Sequence, residues 1–246
     1  MTLRRLFVDA PLSELGVEIP LDQEELHYAI HVLRLKDQSE VEVFNNINQV
    51  ANAVLKLAKK QGFVWIQFLQ PMSHYKNTQL TLAMPFIKGP RMEWLIEKLV
   101  ELGVTKLIPL DTEYAQLYQC NEEKLNRYRR LAVSAIRQSQ GSQIPLVIES
   151  IQSMKSLNLK GCIYCHPENA VSCLSSTINT HLTSLQQLNQ PPLILIGPEG
   201  GFAPQELQYL KNQDALPVHL GWDRILRAET AALLICGLVR LYQEAL

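Results

Sequence analysis

Apolar and polar residues alternate along the first part of the chain. The alternation predicts strands over RRLFVDA (4–10), VEVFNN (41–46), QVANAVLKLA (49–58) and FVWIQFL (63–69). In the third of these, Ala51, Ala53, Leu55 and Leu57 share one side, and KKQG (59–62) reads as the turn into the fourth. A helix is predicted between the first strands. Asp22 is placed to cap it, Glu25 sits three residues on as in a capping box, and Leu26, Ile30 and Leu33 form its apolar side. This is the pattern of a small barrel-like β module, and the polar stretch 70–79, which carries Pro71, reads as a linker.

Beyond the linker the period changes. Short apolar runs at 80–86, 106–110, 161–166, 192–196 and 216–221 read as strands, and helical patterns stand between them, as in an α/β layer fold with a mostly parallel sheet. The helix opening at Pro90 and closing before Gly103 places Met92, Leu95, Ile96, Leu99 and Leu102 on one face. Glu93, Glu97, Lys98 and Glu101 take the other. Over 122–139, Leu125, Tyr128, Leu131, Ala132, Ala135 and Ile136 cover one side of a helix, and Arg127, Arg129, Arg130 and Arg137 lie across the other. That basic stripe is either a solvated charged face or a phosphate-contacting surface, and periodicity does not choose between them. Further helices are predicted over 170–188 and 204–213. The last part of the final run, 222–246, is apolar almost all round, as in a helix buried inside the protein or in a subunit interface. The resulting division is 1–72 for the β module and 73–246 for the α/β domain.

Composition narrows the function classes. With 47% hydrophobic and 19% charged residues in 246, the chain reads as globular rather than disordered or membrane-spanning. No stretch reads as a signal peptide or membrane span, so the expected compartment is the cytoplasm. The net charge of −1 means that any nucleic-acid surface must be local. Five cysteines without export signals read as reduced thiols. Cys162, Cys165 and His166 match the C-x-x-C-H spacing of haem attachment, and Cys173 would extend them towards a zinc set. A short apolar run bounded by Gly161 and Pro167 is better read as a buried strand with core thiols, and no metal site is expected.

Two predicted strands end at glycine loops, 197–201 (GPEGG) and Gly221 onward, so both loops are expected at the carboxyl edge of one sheet, where open α/β sheets bind ligands. The first loop lacks the lysine of a phosphate-binding loop and the spacing of a dinucleotide fold. Glu199 would repel phosphate, and Pro198 removes an amide donor. A neutral or cationic small molecule suits the loop better. Arg224 and Arg227, beside Glu229 and Thr230 at the start of a helix, put anion-stabilising donors near the same edge.

LIGPEGGF (195–202) followed by LGWDRILRAETAAL (220–233) resembles the RsmE-type small-subunit ribosomal RNA uridine-N3 methyltransferases of the SPOUT superfamily. RRLFVDAPL and HVLRLK near the start, and IKGPRMEWLIEKLVELGV and LIPL in the middle, extend the resemblance over essentially the whole chain. It implies a PUA-like β-barrel over 1–72 that binds RNA, followed over 73–246 by an α/β trefoil-knot domain. It also implies S-adenosyl-L-methionine (SAM) as cofactor, a homodimer, and 16S rRNA in the assembled small ribosomal subunit as substrate.

By resemblance, Leu195, Ile196, Gly197, Glu199, Gly200 and Gly201 form the first cofactor loop. Leu220, Gly221, Ile225, Leu226 and Glu229 form the second. Arg227 is expected to stabilise the uracil anion, with Arg224 assisting. RNA contacts are expected from Arg4, Arg5, Arg34, Lys88, Arg91, Arg127, Arg130 and Arg137. The chain departs from the family pattern at three places. Trp222 and Asp223 lengthen the second loop by one residue, Gly141 and Gln143 stand where arginines are usual, and Tyr114 replaces another arginine.

Overall fold

The computed structural model describes residues 4–45, 49–59, 61–69, 79–115, 121–139, 146–166, 171–172, 176–221 and 224–245. The chain divides into two units, Met1–Lys76 with Ile136–Pro145, and Asn77–Ala135 with Leu146–Leu246.

In the first unit the alternating segments form β1 (Arg4–Phe7), a short β2 (Glu18–Pro20), β3 (Glu40–Phe44), β4 (Val50–Ala58) and β5 (Gln61–Leu69). They make one sheet in the order β1-β3-β4-β5-β2, antiparallel except where β1 runs parallel to β3. The inward residues of these strands, Leu6, Val41, Val43, Ala51, Ala53, Leu55, Val64 and Ile66, make one core. The register between β4 and β5 shifts at Asn52/Ala53, and such a bulge increases the local twist of the strand pair.

Helix α1 (Gln23–His27) begins as predicted, with the Asp22 carboxylate accepting from the Glu25 amide at 2.7 Å, and it continues as a π-helical turn over Tyr28–Val32. Of its expected apolar side, Leu33 packs against the core, yet the most buried positions are others. Leu26, Ile30 and Leu33 are only half-buried, whereas Glu25 and Ala29 are fully buried. Nor does Glu25 close a capping box. One carboxylate oxygen accepts from the Phe7 amide of β1 at 2.9 Å, and the other is ion-paired with Arg137, whose guanidinium lies 4.3 Å from the centre of the Tyr28 ring.

In the second unit the strands are β6 (Thr81–Met84), β7 (Lys106–Asp111), β8 (Val147–Ile148), β9 (Gln152–Ser153), β10 (Ile163–Cys165), β11 (Val171–Ser172), β12 (Leu193–Leu195) and β13 (Leu216–His219). The main sheet has the order β11-β13-β10-β12-β6-β7-β8, with β9 beside β7, and every pairing in it is parallel. The expected α/β architecture is therefore present.

The helices of this unit are α2 (Pro90–Glu101), α3 (Glu122–Ser139), α4 (Ser176–Gln187), α5 (Pro204–Asn212) and α6 (Ala228–Ala245). The last turn of α3 is grouped with the first unit. Helix α2 buries Met92, Leu95, Ile96 and Leu99, as its periodicity requires. One expectation is corrected. The helix predicted from residue 170 begins at Ser176, because Val171–Ser172 pair with β13 as an edge strand. The last helix begins at Ala228, with Glu229 and Thr230 at its entrance as expected.

Burial pushes the Glu25 carboxyl up to about 7, against the opposing pull of Arg137 and the Phe7 amide. Between its ordinary 4.5 and 7 the folded state holds a proton that the unfolded chain releases, so Glu25 makes stability fall as pH rises through this window. In urea denaturation from pH 4.5 to 8, the wild-type midpoint should decline more steeply than that of Glu25→Gln. Parallel curves would contradict the assignment.

Candidate active site at the carboxyl edge of the parallel sheet

Strand β10 is paired in parallel with β12 on one side and β13 on the other, through Tyr164↔Leu195 and Cys165↔Val218. The segments leaving β12 and β13 therefore emerge at one sheet edge, on either side of His166. Strand β6 pairs with β12 in the same sense, which brings the segment leading into α2 to that edge too.

The first loop is built for close backbone packing. Leu195 and Ile196 are buried, and the Ile196 amide still donates to the Ala83 carbonyl of β6 at 3.0 Å. The chain then turns, with the Gly201 amide donating to the Pro198 carbonyl at 2.8 Å and Gly201 at φ +74°, where a β-carbon is strained. A β-carbon on Gly197 would lie 3.3 Å from the Gly201 carbonyl carbon and from the Phe202 ring. Phe202 itself packs edge-on against Tyr164 of β10, with ring centres 6.2 Å apart. Gly200 faces Tyr114, which comes from the turn after β7 and is half exposed.

A residue that sequence reasoning passed over locks this loop to that turn. Glu206, in the first turn of α5, accepts from the Ala203 amide at 2.8 Å and from the Glu113 amide at 3.0 Å. The proline and glutamate flanking the start of α5 were a visible helix-start signal; the bond to Glu113, 93 residues away, was not.

The second loop carries Leu220, half-buried, and Gly221 at φ +84°, whose amide donates to the His219 Nδ1 at 3.1 Å. Trp222 and Asp223 lie outside the described residues, as do Gly141 and Gln143. Arg224 and Ile225 are exposed, Leu226 is half-buried, and Arg227 is exposed immediately before α6, its carbonyl accepting from the Ala231 amide at 2.9 Å. A cation just before a helix N-terminus works against the helix dipole, so helix stability does not explain Arg227 there. Glu229, one residue into α6, is buried.

Arg91, in the first turn of α2, joins the two loops. Its Nη1 lies 3.2 Å from a carboxylate oxygen of Glu229 and 3.6 Å from one of Glu199. The Glu229 side chain is 8% exposed and that of Glu199 is 74% exposed, so one partner is fixed in the interior and the other faces solvent.

The basic residues expected to meet RNA divide. Arg4, Arg34, Lys88, Arg127 and Arg130 are exposed. Arg5 and Arg137 are withdrawn from that set. Arg5 is buried, paired with Glu42 at 2.7 Å and 4.7 Å from the centre of the Phe44 ring, and Arg137 is committed to Glu25. Acidic partners also flank the helical stripe, since Arg127 pairs with Glu93 at 2.9 Å and Arg129 with Glu122 at 2.7 Å. Cys162 lies in the core with its thiol pushed up to about 12 by burial, and Cys165, three residues along an extended strand, points to the other face. Among the described residues no group of three or more His, Cys, Asp or Glu side chains could hold a metal ion. No helix among them is long and apolar enough to cross a membrane.

Residues 74–240 match the family model of the RNA methyltransferase domain, and residues 21–64 match that of the RNA methyltransferase PUA domain. A protein of Rickettsia conorii named Ribosomal RNA small subunit methyltransferase E is 30% identical over 98% of this chain and 96% of its own length. The chain belongs to the RsmE family of RNA methyltransferases. The protein of the same name from Bacillus subtilis is 26% identical over 99% of this chain and 98% of its own. A methyltransferase structure from Legionella pneumophila, solved with bound SAM, superposes with a TM-score of 0.78 at 25% identity, covering 100% of this chain and 98% of that one. The Neisseria gonorrhoeae methyltransferase E structure shares the fold, with a TM-score of 0.79 over 97% of both chains at 23% identity. The architecture is SPOUT-type, with a PUA-like module before it.

Replacing Glu206 by Ala leaves the Glu113 and Ala203 amides without their charged acceptor. The expected cost is about 1–3 kcal/mol of stability, read by chemical denaturation, with the first loop becoming protease-sensitive.

Proposed function

We propose that this protein transfers the methyl group of S-adenosyl-L-methionine to N3 of a uridine in 16S rRNA, acting on the assembled small ribosomal subunit. The observation that carries the reading is the convergence of two glycine loops on either side of β10, with exposed arginines at one of them. Full-length relatives named for small-subunit ribosomal RNA methylation, and a SAM-bound structural relative, support it.

The residues present fit SAM. Gly197 lets Gly201 and Phe202 pack tightly against it, which keeps the loop compact, and the loop lacks the lysine and amide pattern of a phosphate cradle. Arg91 with Glu199 and Glu229 carries a formal charge of −1, the sum of one cation and two carboxylates, which suits a cation better than a phosphate. Leu195, Ile196, Gly197, Glu199, Gly200 and Gly201 would hold SAM from one side, and Leu220, Gly221, Ile225, Leu226 and Glu229 from the other. When bound, SAM supplies an electrophilic methyl group on its sulfonium.

Uracil N3 becomes nucleophilic as it loses its proton to solvent, the negative charge spreads onto the neighbouring carbonyl oxygens, and the N3–carbon bond would form as the methyl carbon–sulfur bond breaks, with the neutral thioether as leaving group. Arg227 stabilises that charge, and Arg224 assists in placing the base. Holding nucleophile and methyl donor in line removes much of the entropic barrier. Arg4, Arg34, Lys88, Arg127 and Arg130 supply phosphate contacts. On the side of α6 away from its buried residues, Leu241 is 69% exposed, and this supports a homodimer through that helix. A ribosomal RNA substrate puts the protein in the cytoplasm.

Arg227→Ala should lower single-turnover methyl transfer to small subunits by about 10²–10³-fold while SAM affinity is retained. Nucleoside mass spectrometry of 16S rRNA from cells lacking the protein should show N3-methyluridine lost, and restored by the wild type but not by this variant. Persistence of the modification would overturn the reading.

A further inference from the structure

We propose that Arg91 is a positioning residue of the cofactor crevice, a shared counter-ion that holds the first loop in register with the second through Glu199 and Glu229, and not a contact to RNA phosphate. The inference rests on the SAM-dependent reading above and deepens it.

A cation in the first turn of α2 opposes the helix dipole, so its position reflects its partners rather than its helix. The same Nη1 lies within 3.2 Å of Glu229 and 3.6 Å of Glu199. Glu229 is buried at the start of α6, where an unpaired carboxylate would be strongly disfavoured, and α2 packs against α6. Arg91 is therefore anchored on the buried side. Its backbone is delivered by Gly89 at φ +76° and Pro90, and the helix behind it is pinned by Met92 and Leu95.

Glu199 is the adjustable arm. It is mostly exposed and its pair is the longer, so Arg91 tethers the tip of the first loop to a rigid base without burying it. An RNA phosphate approaching Arg91 would have to compete with two carboxylates whose summed charge exceeds that of the guanidinium. Altering the tether changes the width between loops that must close on one small molecule, and cofactor affinity should respond before RNA affinity does.

The test uses the full chain. SAM binding is measured by calorimetry for the wild type, Arg91→Ala, Arg91→Lys, Glu199→Gln and the double variant Arg91→Ala/Glu199→Gln, and small-subunit RNA binding is measured across salt. Arg91→Ala and Glu199→Gln should each weaken SAM roughly three- to tenfold, with the double variant no worse than the weaker single one. Arg91→Lys should recover part of the loss, and the salt slope for RNA should stay unchanged. Glu199→Gln alters an exposed side chain, so it remains informative if Arg91→Ala unfolds. Unchanged SAM affinity in Glu199→Gln, additive losses in the double variant, or an RNA salt slope reduced by about one in Arg91→Ala would each overturn the proposal. If the wild type itself fails to bind SAM, the SAM-dependent reading falls, and this inference with it.

Discussion

The site depends on the parallel pairing of β10 with both β12 and β13. A parallel ladder points the carboxyl ends of its strands the same way, so segments that follow those strands are obliged to meet at one edge. Antiparallel pairing on either side would send one glycine loop to the opposite end of the sheet. The burial of Ile163, Tyr164, Ile194, Leu195 and Val218 holds this register, since a slip of one residue would turn the apolar set of a strand to its other face.

Given that edge, the chemistry follows from which groups are fixed and which are left exposed. Glu206 and the turn at Pro198–Gly201 fix the backbone of the first loop, while Glu199 at its tip stays in solvent. At the second loop the order is reversed, with Glu229 buried in α6 and Arg224 and Arg227 exposed before it. Rigid backbone with projecting charges is the arrangement that electrostatic catalysis needs, because donors already in place do not have to reorganise as charge develops.

Elements whose information is local were legible in the sequence. The alternation of Ala51, Ala53 and Leu55, the Pro90 start of α2 with its apolar face, and the two glycine loops after apolar runs all correspond to what the chain does. What escaped was set by distant partners. Val171–Ser172 are a strand only because β13 lies beside them, and two residues carry no period. Glu25 has the spacing of a capping box, yet its partners are Phe7 and Arg137, the latter 112 residues away. Arg137 and Arg5 looked like surface cations because helix or strand periodicity ranks charge as outward, and nothing local reveals a buried acid waiting for them.

The contrast between Arg91 and Arg227 shows why residue type alone could not assign roles. Both are arginines at a helix N-terminus, positions where the dipole disfavours them, and both stand at the same sheet edge. Arg91 is held between two carboxylates, which screens its charge and makes it a structural cation. Arg227 is exposed immediately before α6. Helix energetics alone would reject both placements; internal neutralisation accounts for that of Arg91, and the proposed function would account for that of Arg227. What sets them apart is the pair of carboxylates held at Arg91, those of Glu199 and of Glu229, the latter 138 residues away along the chain.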